Sequence, residues 1–172
     1  MIEDRHNGTT DLHLAIARGD RNTIQQLLES QRELVEASNQ DGMTPLHFAA
    51  YLGDEKLVCE LVRRGARINV RDVYGRTPLY FATSQRHVAA VRALLHAGAD
   101  PNISTLETFE AREAPLHMAA RLGDGEIITL LLAHGADPTM IDDLGRTPAY
   151  IAQQLGQLEA VKIFNSCLSS HK

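Results

Sequence analysis

The sequence predicts an all-α repeat solenoid, a stack of helix-turn-helix units joined by hairpin-like loops. Three observations carry this. A short motif recurs at Thr10–His13 (TDLH), Thr44–His47 (TPLH), Thr77–Tyr80 (TPLY), Ala114–His117 (APLH) and Thr147–Tyr150 (TPAY), with starting residues 34, 33, 37 and 33 apart. A second motif follows each central copy: GARIN at Gly65, GADPN at Gly98 and GADPT at Gly135. The length of 172 residues, with 44% hydrophobic and 23% charged residues, suits one folded domain rather than a disordered chain.

Each element has a local reason, clearest in the second unit. Thr44 caps a helix with its hydroxyl, and Pro45 fits the first helical position, where no amide partner is needed. Leu46, Ala49 and Ala50 share one side of a short helix, and the alanines allow close packing. Gly53 ends it. Leu57, Val58, Leu61 and Val62 mark the apolar face of a second helix, and Gly65 supplies its left-handed end. The segment from Ala66 to Gly75 has room only for an extended, hairpin-like loop. One unit cannot bury its apolar face alone, but stacked units can. The reading is a single domain, 1–172, with repeats at 7–38, 39–71, 72–104, 105–141 and 142–168. The end copies differ: Asp11 replaces Pro in the first, and Ala149 and Tyr150 replace Leu and His in the last. Both ends are therefore read as caps of a complete domain.

These motifs, Thr-Pro-Leu-His-x-Ala at a period near 33, resemble the ankyrin repeat over nearly the whole chain. The resemblance implies that His13, His47 and His117 make backbone hydrogen bonds at their shared position. It also implies a protein-binding surface on the finger-like loops and the exposed side of the first helices. Asn69 and Asn102 fall where an asparaginyl hydroxylase can modify members of this family.

The fourth copy departs from the pattern. Its extra residues fall between Asn102 and Ala114, in a polar finger, TLETFEARE, with one aromatic, Phe109. Ala114 cannot cap its helix, at a cost of about 1 kcal/mol, unless Thr108 or Glu110 folds back to do so. The finger reads equally as a tolerated surface insertion or as a contact element with Phe109 as anchor.

Charge and motifs exclude several function classes. The net charge of −5 opposes binding to phosphate backbones, so no nucleic acid partner is expected. No apolar run is long enough to span a bilayer, and MIEDRHNG is unlike a signal peptide. Cys59 and Cys167 show no paired spacing and read as reduced thiols of a cytoplasmic or nuclear protein, Cys59 as a small core or groove residue. No metal, cofactor or catalytic constellation stands out, so no enzyme is expected. His96 and His134 suit second-helix ends, His87 a second-helix start, and the sequons at Asn7 and Asn102 read as chance.

The resemblance carries over a candidate partner-binding set: Tyr51, Leu52, Arg71, Tyr74, Arg76, Phe109, Arg112, Arg121, Leu122 and Arg146. Aromatic and arginine residues are enriched in binding hot spots. The bland alternative pairs Arg71, Arg76, Arg121 and Arg146 with Asp72, Asp142 and Asp143, so that they merely solvate the finger row. The expected function is a monomeric, non-enzymatic adaptor, scaffold or inhibitor gripping an acidic or mixed protein surface or peptide. The rival readings are the substrate-targeting domain of a larger enzyme and a bacterial effector acting on host proteins. Methyl-lysine recognition is disfavoured, because without Trp the pair Tyr51 and Tyr74 makes a poor cage.

Overall fold

The structure, a computed structural model, describes residues 9–106 and 112–169. Ten helices lie among them: α1 (Asp11–Arg18), α2 (Arg21–Ser30), α3 (Pro45–Tyr51), α4 (Glu55–Arg63), α5 (Pro78–Ser84), α6 (Val88–His96), α7 (Pro115–Leu122), α8 (Gly125–Ala133), α9 (Pro148–Gln154) and α10 (Leu158–Ser169). A 3-10 turn at Arg32–Glu36 follows α2, and the described residues contain no strand. The odd-numbered helices pack on one another in sequence as an inner layer, while α4, α6, α8 and α10 form an outer layer. This is the all-α solenoid that the spacing predicts.

The inner helices begin in two ways, decided by the residue three positions on. Where that residue is His, its Nδ1 accepts the backbone N–H of the cap, at 3.2 Å for Thr10, 3.0 Å for Thr44 and 3.3 Å for Ala114. The ring proton therefore sits on Nε2, which donates across the repeat boundary to the carbonyls of Met43, Arg76 and Met140, each at 3.1 Å. Where the residue is Tyr, the threonine hydroxyl accepts its backbone N–H instead, as Thr77 does from Tyr80 and Thr147 from Tyr150, both at 3.2 Å. Ala114 keeps the backbone half of this arrangement and lacks only the hydroxyl that Thr44 places 3.0 Å from His47 Nδ1.

The outer helices start on aspartates: Asp20, Asp54 and Asp124 each accept the backbone N–H three residues on, at 3.0 to 3.1 Å. His87 holds that position in α6 but does not cap it with its side chain; its Nε2 lies 3.0 Å from Tyr51 O in the preceding repeat. Arg21 meets Asp54 at 2.5 Å and Arg86 meets Asp124 at 3.0 Å, so ion pairs also cross the boundaries.

The core follows the repeat. Leu12, Leu46, Leu79 and Leu116, all essentially without exposure, fill the inner layer against Leu28, Leu61, Leu94 and Leu131 of the outer one. Each such side chain contributes roughly 1.5–3 kcal/mol by leaving water. Val35 of the 3-10 turn is buried in the same cluster as Ala66, Ala99 and Ala136. Cys59 is exposed, contrary to the core or groove position expected of it. The buried face of α4 is set by Leu57, Val58 and Leu61, and a 100° step per residue turns Cys59 away from that face.

The fingers are tight turns, each spanned by a backbone hydrogen bond from Asn39 N–H to Met43 O, Asp72 N–H to Arg76 O and Asp142 N–H to Arg146 O, all 3.0 Å, with a second inside it from Gly42, Gly75 and Gly145 back to Asn39, Asp72 and Asp142. In the fourth repeat the same bond joins Thr105 N–H to Glu113 O, also 3.0 Å. The four extra residues thus lie inside the finger rather than before it, and Thr105 takes the place of Asn39, Asp72 and Asp142. Adjacent fingers are tied edge to edge by Val73 N–H to Asp41 O at 2.9 Å and Leu106 N–H to Tyr74 O at 2.8 Å. Gly75 is needed here. Its φ is +75°, and a Cβ would come within 2.7 Å of Leu106 N.

Candidate protein-interaction face

The inner helices share one row of apolar side chains. Leu14, Phe48, Phe81, Met118 and Ile151 occupy the variable position between His (or Tyr) and Ala in each motif. Leu14 is 39% exposed, Phe48 and Met118 are half-buried, and Phe81 and Ile151 are buried, so this row is an apolar floor that is largely covered. The sequence reading missed it, although its period equals that of the motif that frames it. Flanking rows come from the residue before each cap (Met43, Arg76, Glu113, Arg146) and from the inner-helix ends (Tyr51, Ser84, Arg121, Gln154).

Tyr51, Tyr74 and Arg76 come together around Phe81. The Arg76 guanidinium carbon lies 4.8 Å from the Tyr74 ring centroid and 4.6 Å from that of Phe81, and Tyr51 meets Phe81 edge-on at 6.2 Å. Beneath them Asp72 is buried. Its Oδ1 accepts the N–H groups of Tyr74 and Arg76 at 3.0 and 2.8 Å, and its Oδ2 accepts Arg76 Nε–H at 2.7 Å. Tyr74 and Tyr51 remain 46% and 45% exposed.

The other candidates divide between two settings. Arg146 repeats the Arg76 arrangement on Asp142, with Nε–H to Oδ2 at 2.7 Å. Burial pushes the Asp142 carboxyl up, but the N–H groups of Arg146 and Leu144 and the Arg146 guanidinium outweigh it and hold it below the usual range. Arg121 pairs with Glu113, which occupies the position of Arg76 and Arg146 and is buried. Arg71 and Arg112 instead fasten the fingers: Arg71 donates to Gly75 O at 3.3 Å and Ser104 O at 2.8 Å, and Arg112 pairs with Asp143 at 3.2 Å. Leu52, 45% exposed, and Leu122, half-buried, end inner helices. Phe109 lies outside the described residues, as do Thr108 and Glu110. Asn69 and Asn102 hold the next repeat, accepting the N–H groups of Asp100 and Asp137 at 2.9 and 2.8 Å.

Among the described residues, no group of three or more His, Cys, Asp or Glu is placed to hold a metal ion. No helix among them is long and apolar enough to cross a membrane.

The stacked two-helix units and their finger row define a repeat solenoid of the protein-binding kind. The family model described as ankyrin repeats (3 copies) matches residues 12–105 and 106–168, and the chain belongs to the ankyrin repeat family. That family is generally a non-catalytic protein–protein interaction module. The chain is similar to tyrosine-protein kinase Shark of Drosophila melanogaster, 30% identical over 88% of this chain and 16% of the kinase. It is 39% identical to ankyrin repeat and SOCS box protein 16 of Mus musculus over 67% of this chain and 26% of that protein. It is 32% identical to ankyrin repeat and SOCS box protein 3 of Homo sapiens over 86% of this chain and 35% of that protein. The chain thus spans between about a sixth and about a third of the length of these relatives.

Proposed function

We propose that this chain is a non-enzymatic adaptor, scaffold or inhibitor that grips an acidic or mixed protein surface through its concave face and fingers. The observation that carries this reading is the cluster of Tyr51, Tyr74, Arg76 and Phe81. Two half-exposed tyrosines flank a guanidinium held in place by a buried carboxylate. Such a cluster is rigid before the partner arrives, so little side-chain entropy is lost on docking. Aromatic and arginine anchors of this kind carry most of the energy of protein interfaces. The module acts as a monomer in the cytoplasm or nucleus.

A second reading has one observation in its favour. The relatives are three to six times longer than the aligned repeats, and one is a kinase. On that reading the repeats deliver a substrate to activity held elsewhere in a larger protein.

The test is capture from lysate of the native source with wild type and a Tyr74→Ala/Arg76→Ala/Arg121→Ala variant, folding checked by circular dichroism. A protein kept by the wild type and lost by the variant supports the face. A protein kept equally by both sinks it. Light scattering of the free chain and of the complex then reads the stoichiometry.

A further inference from the structure

Glu113 stands where the third and fifth repeats carry Arg76 and Arg146, and it is the only one of these three that is acidic. Its side chain is 2% exposed. Its Oε1 accepts from Arg121 and lies 3.9 Å from Arg146 Nη2, so two guanidinium groups from neighbouring repeats converge on one oxygen. Oε2 has no hydrogen-bond partner among the described residues. Arg121 and Arg146 line a hollow at the inner helix α9 with Tyr150, Ile151, Gln154 and Leu155, of which Tyr150 and Leu155 are 47% and 51% exposed.

The two sides of this charge cluster differ in what they show to solvent. The acids Glu113 and Asp142 are 2% and 0% exposed, whereas Arg121 and Arg146 keep 36% and 28%. The surface therefore presents guanidinium edges only. Each guanidinium has five N–H donors in a fixed fork. Arg121 spends Nη2 on Glu113 and Arg146 spends Nε on Asp142, which leaves outward donors on both. Two buried anions balance the two cations, so the site offers N–H donors without surplus charge and suits a single carboxylate better than a dianion.

We propose that Arg121 and Arg146 form a subsite for a single aspartate or glutamate side chain of a partner segment. An aliphatic residue beside that side chain rests on Tyr150 and Leu155. This rests on the concave-face reading above and names the chemistry that one end of that face accepts. Glu113 acts as a positioning residue: it draws the two guanidinium groups together and moderates their charge.

The probe is a fluorescein-labelled nonapeptide of alternating glutamate and leucine, followed by fluorescence anisotropy at low salt. Its control carries glutamine in place of glutamate. The expected result is binding about tenfold tighter for the acidic peptide. Glu113→Gln removes the buried negative charge and keeps an acceptor for Arg121; it should tighten the acidic probe by about threefold. Adding Arg121→Ala and Arg146→Ala in that background, where the buried Asp142 keeps the backbone N–H groups of residues 144 and 146, should weaken it by about tenfold. Arg92→Ala, on the outer helix α6, should stay within about twofold of the wild type. Circular dichroism accompanies every variant.

Equal binding of acidic and control peptides, no binding of either, or unchanged binding in the Glu113→Gln/Arg121→Ala/Arg146→Ala chain overturns the subsite. So does a phosphoserine peptide that binds more than about tenfold tighter than the glutamate probe. Loss of the probe only in Tyr74→Ala/Arg76→Ala also overturns the subsite, but leaves the concave-face reading standing.

Discussion

Acid should loosen this stack through its histidines, and His47 sets the size of the effect. Burial lowers its pKa from 6.5 to about 4, working against the hydrogen bond to Arg76 O and the nearby Asp72 carboxylate. The geometry agrees: Nδ1 already accepts the Thr44 N–H, so a second ring proton would point at a donor. Above the unfolded value of 6.5 both states are neutral, and the full stability is present. As pH falls below it, the unfolded chain takes a proton that the folded chain refuses, and stability drops until the folded value near 4 is reached. At 1.36 kcal/mol per tenfold difference in proton affinity, the total is about 3 kcal/mol, of which about 2 kcal/mol is lost between about pH 7 and 5. Burial lowers His13 and His117 as well, which adds in the same direction. Burial raises Glu113 against the pull of Arg121 and Arg146, and a carboxyl raised in the folded state works the other way, since its protonation favours folding. The assay is therefore a difference. Urea midpoints of wild type and His47→Gln are compared at the two pH values. The variant should start less stable at neutral pH and lose about 2 kcal/mol less than the wild type on acidification. If both chains lose the same amount, or if NMR titration places the His47 pKa near 6.5, the reasoning fails.

Three further perturbations follow from the geometry. Asp72→Ala removes the acceptor of two backbone N–H groups and of Arg76 and should cost about 1–3 kcal/mol in urea denaturation; a change below about 0.5 kcal/mol would show that the finger holds itself. Gly75→Ala sets a Cβ against Leu106 N at a left-handed φ and should destabilise by about 1–3 kcal/mol, whereas Gly65→Ala, at a left-handed φ in open space, should cost less by the same assay. Ala114→Thr restores the hydroxyl that Thr44 aims at His47 and should raise stability by about 1 kcal/mol; a lower melting temperature would mean that the buried site has no room for it.

Much of the fold was legible because the repeat multiplies weak local signals. A single Thr-Pro pair is a modest helix start, but four Pro residues in register at 45, 78, 115 and 148 fix the inner layer. The periodic leucines did the same for the core. What stayed hidden depended on depth rather than on pattern. Asp72, Asp142 and Glu113 look like ordinary surface acids in a polar finger, and only the packed structure shows them buried beneath arginines. The apolar floor escaped for the opposite reason: Leu14, Phe48, Phe81, Met118 and Ile151 share no residue type, so position alone marks them. The same contrast explains Cys59, whose neighbours Leu57, Val58 and Leu61 claim the inward side. The pairing with nearby aspartates is present for Arg76 and Arg146, whereas Arg121 pairs with Glu113 and Arg71 donates to finger carbonyls. For Arg76 and Arg146 it orients the cations without hiding them.

That layering separates what the chain carries from what it displays. Seen from a distance at low salt, it is an acidic body of charge −5. Seen from within one inner-helix row, it offers the outer edges of Arg76, Arg121 and Arg146, with their counterions sealed behind them. An acidic partner is thus repelled in the far field and held in the near field. Salt at about 0.1 M shortens the screening length to about 10 Å and damps the far term first. Moderate ionic strength should therefore speed encounter with such a partner before higher salt weakens the grip. Most oppositely charged pairs behave in the reverse way, with association falling from the first addition of salt.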